Sequence, residues 1–372
     1  MRPDDKVPGE VAPPTNAHQT HPPSNPSTHP ARKILWFLAR LAIAGILLAY
    51  LVKSDLIGIS ALSKPFAAWP AALGAIALVL FDVALMAWRL SLLFQPRGMR
   101  LPWRVSMQLT LVGFFFAAFL PGAAGGDLAK LFYTARGNKE RFSEIVAVTL
   151  FDRAIGLFSL LIMPLMLALL SPSFIWSIPA MRALFCLAVV LAVMLVAAFL
   201  FCLYREPLVK RIAGGLFWFL PSKIRLQQIL TTVADYRDHA GIVVAALALS
   251  LVANFALVVV MLLGVRVLNP GGLNLRMAII IPLGFIANSL PLTPGGLGVG
   301  ETAFSALFAL GGFSGGAAAL VCWRVWTGLV RMLGLGYYLR GIDRRIFDDA
   351  GADALSRSET LNSSATVGSV DG

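Results

Sequence analysis

Six stretches of this chain, 34–52, 70–94, 143–170, 174–204, 241–268 and 315–340, are each long and apolar enough to cross a bilayer as a helix. The hydrocarbon core demands roughly 20 mostly apolar residues per crossing, and a chain with several such runs has few other ways to hide them. Over 372 residues it is 58% hydrophobic and only 13% charged. A soluble domain is about 45–50% apolar and about 25% charged. The expected fold class is therefore an all-α polytopic membrane protein. The net charge of +12 raises the question of nucleic acid. The Lys and Arg residues answer it: they fall mainly between the apolar runs, where cytoplasmic loops of membrane proteins carry them, and no nucleic-acid partner is expected.

The ends of the chain differ from its middle. Residues 1–32 are rich in Pro, Ser, Thr and His, and 343–372 are polar. Both read as disordered cytoplasmic tails around a transmembrane domain at 33–342. The first apolar run follows a long polar stretch and no small-residue cleavage site trails it, so it reads as a spanning helix and not as a removed signal. His18, His21 and His29 lie in the irregular N-terminal tail, and Cys186, Cys202 and Cys322 are scattered through apolar runs. Neither set suggests a metal site or a disulfide framework, and no cofactor is expected.

Two further apolar regions, 103–136 and 276–313, are interrupted. The first contains "FLPGAAGGDLAK" (119–130), the second "SLPLTPGGLGVGET" (289–302). Basic residues flank 103–136 on both sides (Arg97, Arg100 and Arg104 before; Arg136, Lys139 and Arg141 after), whereas 171–181 carries no charge. One topology fits: both termini cytoplasmic in a cytoplasmic (inner) membrane, about six transmembrane helices, and two re-entrant hairpins of opposite orientation, 103–136 entering from the cytoplasm and 276–313 from outside. The loop 205–240 mixes basic and large apolar residues, as a segment lying at the headgroup layer would; a plain connector fits it equally.

Irregular backbone at membrane depth survives only inside protein or along a wet cavity, because each unpaired N–H or C=O in hydrocarbon costs several kcal/mol. Pro121 is expected to end one half-helix, with Gly125 and Gly126 making a sharp turn into a second that starts near Asp127. Pro291 and Pro294 do the same in the other hairpin, Gly295, Gly296 and Gly298 turn the chain, and a new helix runs on through Glu301. Two returning helices then point their N-termini inward from opposite sides. Such ends carry about half a positive charge each and bind anions, an arrangement built into inverted-repeat transporters.

Charged residues inside apolar runs cost ~2.5–3.5 kcal/mol at the bilayer centre and normally face a cavity or one another. Asp82, Arg89, Asp127, Lys130, Asp152, Arg153, Glu301, Arg324 and Arg331 are of this kind. Arg153 and Arg324 hold comparable places after the two hairpins. They admit two roles: contacting an anionic headgroup, or pairing with Asp127 and Glu301 to hold the hairpins. Those two carboxylates likewise read either as first-turn helix stabilisers, worth ~0.3–1 kcal/mol, or as carriers of a proton or ligands of a headgroup amine. Asn288 and Thr293 can donate or accept at the outer hairpin. Asp82 and Arg89, seven residues apart on one helical face, read as structural.

The blocks "FFFAAFLPGAAGGDLAKLFYTAR", "VTLFDRAIGL", "IANSLPLTPGGLGVGET" and "CWRVWTGL" resemble the signatures of the lysylphosphatidylglycerol synthase transmembrane-region family, also called flippase-like integral membrane proteins. The resemblance covers about 34–342. Pro121, Gly126, Asp127, Arg153, Pro294, Gly295, Gly296, Gly298, Glu301 and Arg324 match the family pattern; Asp152 stands where Glu is expected. The resemblance implies movement of a lipid or lipid-linked headgroup between leaflets, with phospholipids, polyprenyl-linked glycans and hopanoids as the lipid classes. It does not imply lipid aminoacylation, since only a short polar tail follows the membrane part. "GAAGGDLAK" lacks the Gly-Lys-[Ser/Thr] of a P-loop, and HExxH does not occur, so an enzyme is not expected. The function expected is translocation of a phospholipid or lipid-linked anionic headgroup without ATP hydrolysis. A non-transporting accessory protein for a lipid or glycan enzyme is the alternative, and an intramembrane transferase using Asp127 or Glu301 as base a third.

Overall fold

The computed structural model describes residues 64, 66–99, 101–118, 124–137, 141–204, 235–269, 272–290, 292–293 and 295–340. The expected span 34–52, both tails, most of the loop 205–240, and Pro121, Pro291 and Pro294 lie outside them. The described residues form helices without strands: α1 (Trp69–Phe94), α2 (Trp103–Phe116), α3 (Ala124–Gly137), α4 (Phe142–Ala168), α5 (Pro172–Ser177), α6 (Pro179–Tyr204), α7 (Ala240–Leu268), α8 (Met277–Asn288), α9 (Val299–Leu310) and α10 (Gly316–Arg340).

Five of these, α1, α4, α6, α7 and α10, are long and apolar enough to cross a membrane. Local chemistry sets their ends. Pro70 opens α1, where its missing N–H costs nothing and its fixed φ suits a helix. A 3-10 turn at Gln95–Arg97 and Gly98 in the left-handed region (φ 67°) close it. The apolar run at 174–204, expected as one span, is two helices. Pro179 opens α6, and the preceding Ile178 is extended (φ −112°, ψ 109°), because a residue before proline is driven out of the helical region.

The remaining pairs are short. α2 and α3 have 14 residues each, and α8 and α9 have 12 each. At 1.5 Å per residue these reach about 21 Å and about 18 Å, less than the ~30 Å hydrocarbon thickness. Each pair packs on itself, α2 on α3 and α8 on α9.

The packing repeats across two halves, α1 to α4 and α7 to α10. Each half runs long helix, short pair, long helix. α1 lies along α7. The first short helix of each half packs on the last long helix of the other: α2 on α10, and α8 on α4. The cross contacts α7 with α4 and α1 with α10 also match. α6 packs on α4 and turns most of its apolar surface outward, Leu187, Val193 and Met194 included. The principal core joins both halves: Val83, Leu111 and Met163 come from the first, and Met261, Ile280, Phe304 and Phe308 from the second, all buried.

One expectation is overturned. Gly125 and Gly126 are not turn residues: both lie in the first turn of α3, and neither has the positive φ that a glycine turn requires. What Gly126 provides is a close helix crossing. A Cβ at Gly126 would sit 2.6 Å from the Gly113 carbonyl oxygen of α2, and one at Gly113 would sit 2.9 Å from that of Gly126. Small residues let membrane helices approach backbone to backbone in this way. Gly126→Ala is therefore expected to destabilise the protein by about 1–3 kcal/mol through overpacking, read as a lower thermal midpoint in detergent. Gly74→Ala, where a Cβ meets open space, is the control; equal midpoints for the two variants would contradict the close-crossing account.

Candidate functional site

The site forms where the two short helix pairs meet. α8 ends at Asn288, and Gly295, Gly296 and Gly298 then take φ of 58°, 70° and 79°. Only glycine adopts such values without strain, so this break does turn on its glycines. A Cβ at Gly295 would lie 3.0 Å from the Ala118 carbonyl oxygen, which places this turn against the end of α2. A Cβ at Gly296 would lie 2.5 Å from Asn288 Oδ1, so both glycines are also required by space.

Glu301 and Arg324 hold this turn. The Glu301 carboxylate is fully buried, and its Oε2 accepts from the Gly298 N–H at 2.8 Å. This is the reciprocal half of a capping box at the N-terminus of α9. Arg324 Nε lies 2.6 Å from Glu301 Oε1, an ion contact with poor hydrogen-bond alignment. Its Nη1 donates to the Gly295 carbonyl at 2.7 Å. Its Nη2 donates to the Gly296 carbonyl at 2.9 Å and to Asn288 Oδ1 at 3.0 Å. Thr293 Oγ1 donates to the Leu297 carbonyl at 2.8 Å. Glu301 already occupies the positive end of α9, and Arg324 is spent on carbonyls the turn leaves free. The side chains of the sequence-predicted set at this turn therefore bind one another and the backbone.

The inner pair is arranged more loosely. Asp127 sits in the first turn of α3. Arg153 Nη1 and Lys130 Nζ each lie 3.6 Å from one of its oxygens, too long for a strong charge-assisted hydrogen bond. Two cations thus share one carboxylate.

Between these groups lies a cavity of about 260 Å³. Of the sequence-predicted residues, Gly126, Asp127, Arg153, Asn288 and Gly295 line it. Arg324, Glu301, Thr293, Gly296 and Gly298 stand behind the wall, and Gly125 is buried in α3 without reaching it. Pro121 and Pro294 lie outside the described residues. Asp82 also lines the cavity, with no hydrogen bond or ion pair among the described residues.

Arg89, read from the sequence as structural, is tied into the bundle by side chains of two other helices. Its Nε donates to Asp152 Oδ1 at 2.7 Å and its Nη1 to Ser250 Oγ at 2.8 Å, tying α1, α4 and α7 together. Sequence reading did not single out Thr110, Phe114 or Trp323, which line the same cavity. A hydroxyl inside the apolar run 103–116, which also holds Ser106, was the only signal for Thr110. Among the described residues no group of three His, Cys, Asp or Glu side chains converges as a metal site would need.

Arg324→Gln is expected to cost about 3–5 kcal/mol, because it strands a buried carboxylate and two carbonyls. Glu301→Gln should cost less, and the double variant less than the sum of the singles, since the two act as one unit. Thermal unfolding of the three variants in detergent checks this; additive losses would contradict the clamp.

No curated protein and no solved structure matches the chain. The family described as Lysylphosphatidylglycerol synthase TM region matches residues 37–334, which take in both short helix pairs, the clamp and every described cavity-lining residue. With five membrane-length helices and a match over most of its length, this multi-pass membrane protein belongs to the lysylphosphatidylglycerol synthase transmembrane-region family.

Proposed function

We propose that the protein moves an anionic lipid headgroup, of a phospholipid or a lipid-linked compound, across the cytoplasmic membrane without hydrolysing a nucleotide. The carrying observation is the set of charged side chains lining the cavity where the two helix pairs meet. The described lining holds four cationic side chains, Arg89, Lys130, Arg153 and Arg331, against three acidic ones, Asp82, Asp127 and Asp152. Charge inside an apolar helix bundle normally lines a substrate path or is paired, and here the cations exceed their partners. A volume of about 260 Å³ suits a headgroup and is far too small for two acyl chains, which on this reading stay in the lipid.

In this reading α2–α3 and α8–α9 are re-entrant hairpins entering from the cytoplasm and from outside. They form the centre of an inverted repeat with six spans and both termini cytoplasmic, and 33–342 is the transporting domain between two tails. The exchanged packing of the two halves supports it: repeats that pack alike can exchange inward-open and outward-open arrangements around a fixed midplane site. The contact of Gly295 with Ala118 is where the two hairpins would slide. Arg153 and Lys130, loosely held by Asp127, meet the entering anion. Arg324 and Glu301 keep the outer hairpin folded and do not touch it.

Vesicles reconstituted with the purified protein and a fluorescent phospholipid test the proposal through chemical quenching of outer-leaflet dye. The wild type is expected to render inner-leaflet dye accessible. Arg153→Gln should slow this roughly tenfold or more, as loss of a hydrogen bond to a charged group predicts. Equal rates in wild-type, Arg153→Gln and protein-free vesicles would refute transport and leave an accessory role.

A further inference from the structure

We infer that Arg331, with the indole N–H of Trp323 and the hydroxyl of Thr110, forms the oxyanion-binding subsite of the cavity, and that the oxyanion it takes is the phosphate of a membrane lipid. The lipid assignment rests on the headgroup reading above; the subsite itself does not depend on transport.

The other cations of the region each have a carboxylate within reach. Arg89 is held by Asp152 and Ser250. Arg324 is consumed by Glu301, Asn288 and two carbonyls. Arg153 and Lys130 have Asp127 between them. Arg331 has no carboxylate and no hydrogen bond among the described residues, and its Nε is enclosed without a partner. Its guanidinium lies over the Phe114 ring, 4.8 Å from the centroid. That contact is worth up to ~2 kcal/mol when desolvated. It falls short of what burying a lone charge costs, and it covers one face of the guanidinium while leaving the N–H edge open. Asp82 lines the same cavity but makes no ion pair with Arg331, so an anion entering the cavity can supply the counter-charge that Arg331 lacks.

Two more enclosed atoms point the same way. Trp323 Nε1 and Thr110 Oγ1 also lack partners among the described residues, and both residues line the cavity with Arg331. Native proteins pair the large majority of buried side-chain polar atoms. Three unpaired groups able to donate, around one cavity that is rich in cations, fit a ligand with several acceptor oxygens on one centre, which a phosphate supplies. Lys130 adds a second charge nearby: its Cγ and Cε lie 3.0 Å from where a Cβ of Gly113 would be. It therefore crosses α2 one residue before the ring that carries Arg331. Arg331 and Arg324 are seven residues apart on α10, on one face and about 10 Å apart along the axis. The helix thus separates an arginine that holds the fold from one that holds the ligand.

The test measures lipid binding by native mass spectrometry, and thermal midpoints with and without ligand, on the full chain in detergent. The ligands are phosphatidylglycerol, a neutral diacylglycerol glycolipid and inorganic phosphate. The wild type should bind phosphatidylglycerol and be stabilised by it, with little response to the glycolipid or to inorganic phosphate. Arg331→Gln should weaken phosphatidylglycerol binding roughly ten- to hundredfold. Its ligand-free midpoint should be unchanged or higher, because an uncompensated buried charge has been removed. Arg331→Lys should retain part of the affinity, having the charge without the planar fork. Trp323→Phe, which removes the N–H donor together with ring volume packed against Phe285, should weaken binding and lower the ligand-free midpoint modestly. Wild-type affinity in Arg331→Gln, or a ligand-free midpoint that falls as in Arg324→Gln, would overturn the subsite. Stabilisation by inorganic phosphate equal to that by the lipid would overturn the lipid assignment. Lipid binding without any flipping would leave the subsite standing and refute only the transport reading.

Discussion

A membrane helix can be broken only if the backbone groups freed by the break are bound again, and at the turn between α8 and α9 Arg324 and Glu301 do this. In hydrocarbon each unpaired carbonyl or N–H costs several kcal/mol. Arg324 binds the carbonyls of Gly295 and Gly296, and Glu301 binds the N–H of Gly298. Each side chain also neutralises the other across 2.6 Å. Without this pair the positive-φ turn at 295–298 would have no stable place inside an apolar bundle, and α8 and α9 would not stop where they do. The cavity exists because two such short helix pairs stop short and meet.

The two halves use the same residue types for different ends. In the second half the acid and base are in tight contact and the acid is fully buried. In the first, Asp127 is shared at 3.6 Å by Arg153 and Lys130, whose side chains keep some exposure to the cavity. A tight pair holds, whereas a loose pair with surplus charge can exchange partners. Under the proposed function the outer hairpin is the fixed wall, and the inner side, with Arg331 opposite, is where an anion gains counter-charges. The glycines divide in a similar way. Those at 295, 296 and 298 shape a turn, while Gly113 and Gly126 let α2 and α3 cross closely enough to position Asp127 and Lys130.

Much of the architecture was legible in the sequence because the bilayer imposes a length. The runs 70–94, 143–170, 241–268 and 315–340 reappear as α1, α4, α7 and α10 within about two residues at most ends. Both interruptions fall where the motifs put them. The break at Ile178 was missed because hydropathy is continuous across it, although Pro179 marked the place. Gly125 and Gly126 were misread because a glycine needed for close packing looks, in one dimension, like a glycine needed for a turn. Partner choice was the least legible. Arg89 meets Asp152 across 63 residues of sequence, and no local pattern encodes that. Symmetry between the hairpins singled out Arg153 and Arg324 as equals. Only the three-dimensional arrangement separates Arg324, which is held by the Glu301 carboxylate, Asn288 and two carbonyls, from Arg331, which has no carboxylate partner and no hydrogen bond among the described residues. The family match bears out the resemblance carried by the two glycine-rich blocks.

The central claim is that the meeting point of the two helix pairs receives a lipid headgroup from the surrounding membrane. The most direct test is an experimental structure of the protein in nanodiscs of phosphatidylglycerol, compared with one in nanodiscs of a neutral glycolipid. Phosphate density inside the cavity against the Arg331 edge, continuous with acyl chains leaving between helices, is the predicted result for phosphatidylglycerol, with none in the glycolipid sample. A cavity holding only water in both samples, with lipid phosphates confined to the outer perimeter, would contradict the account.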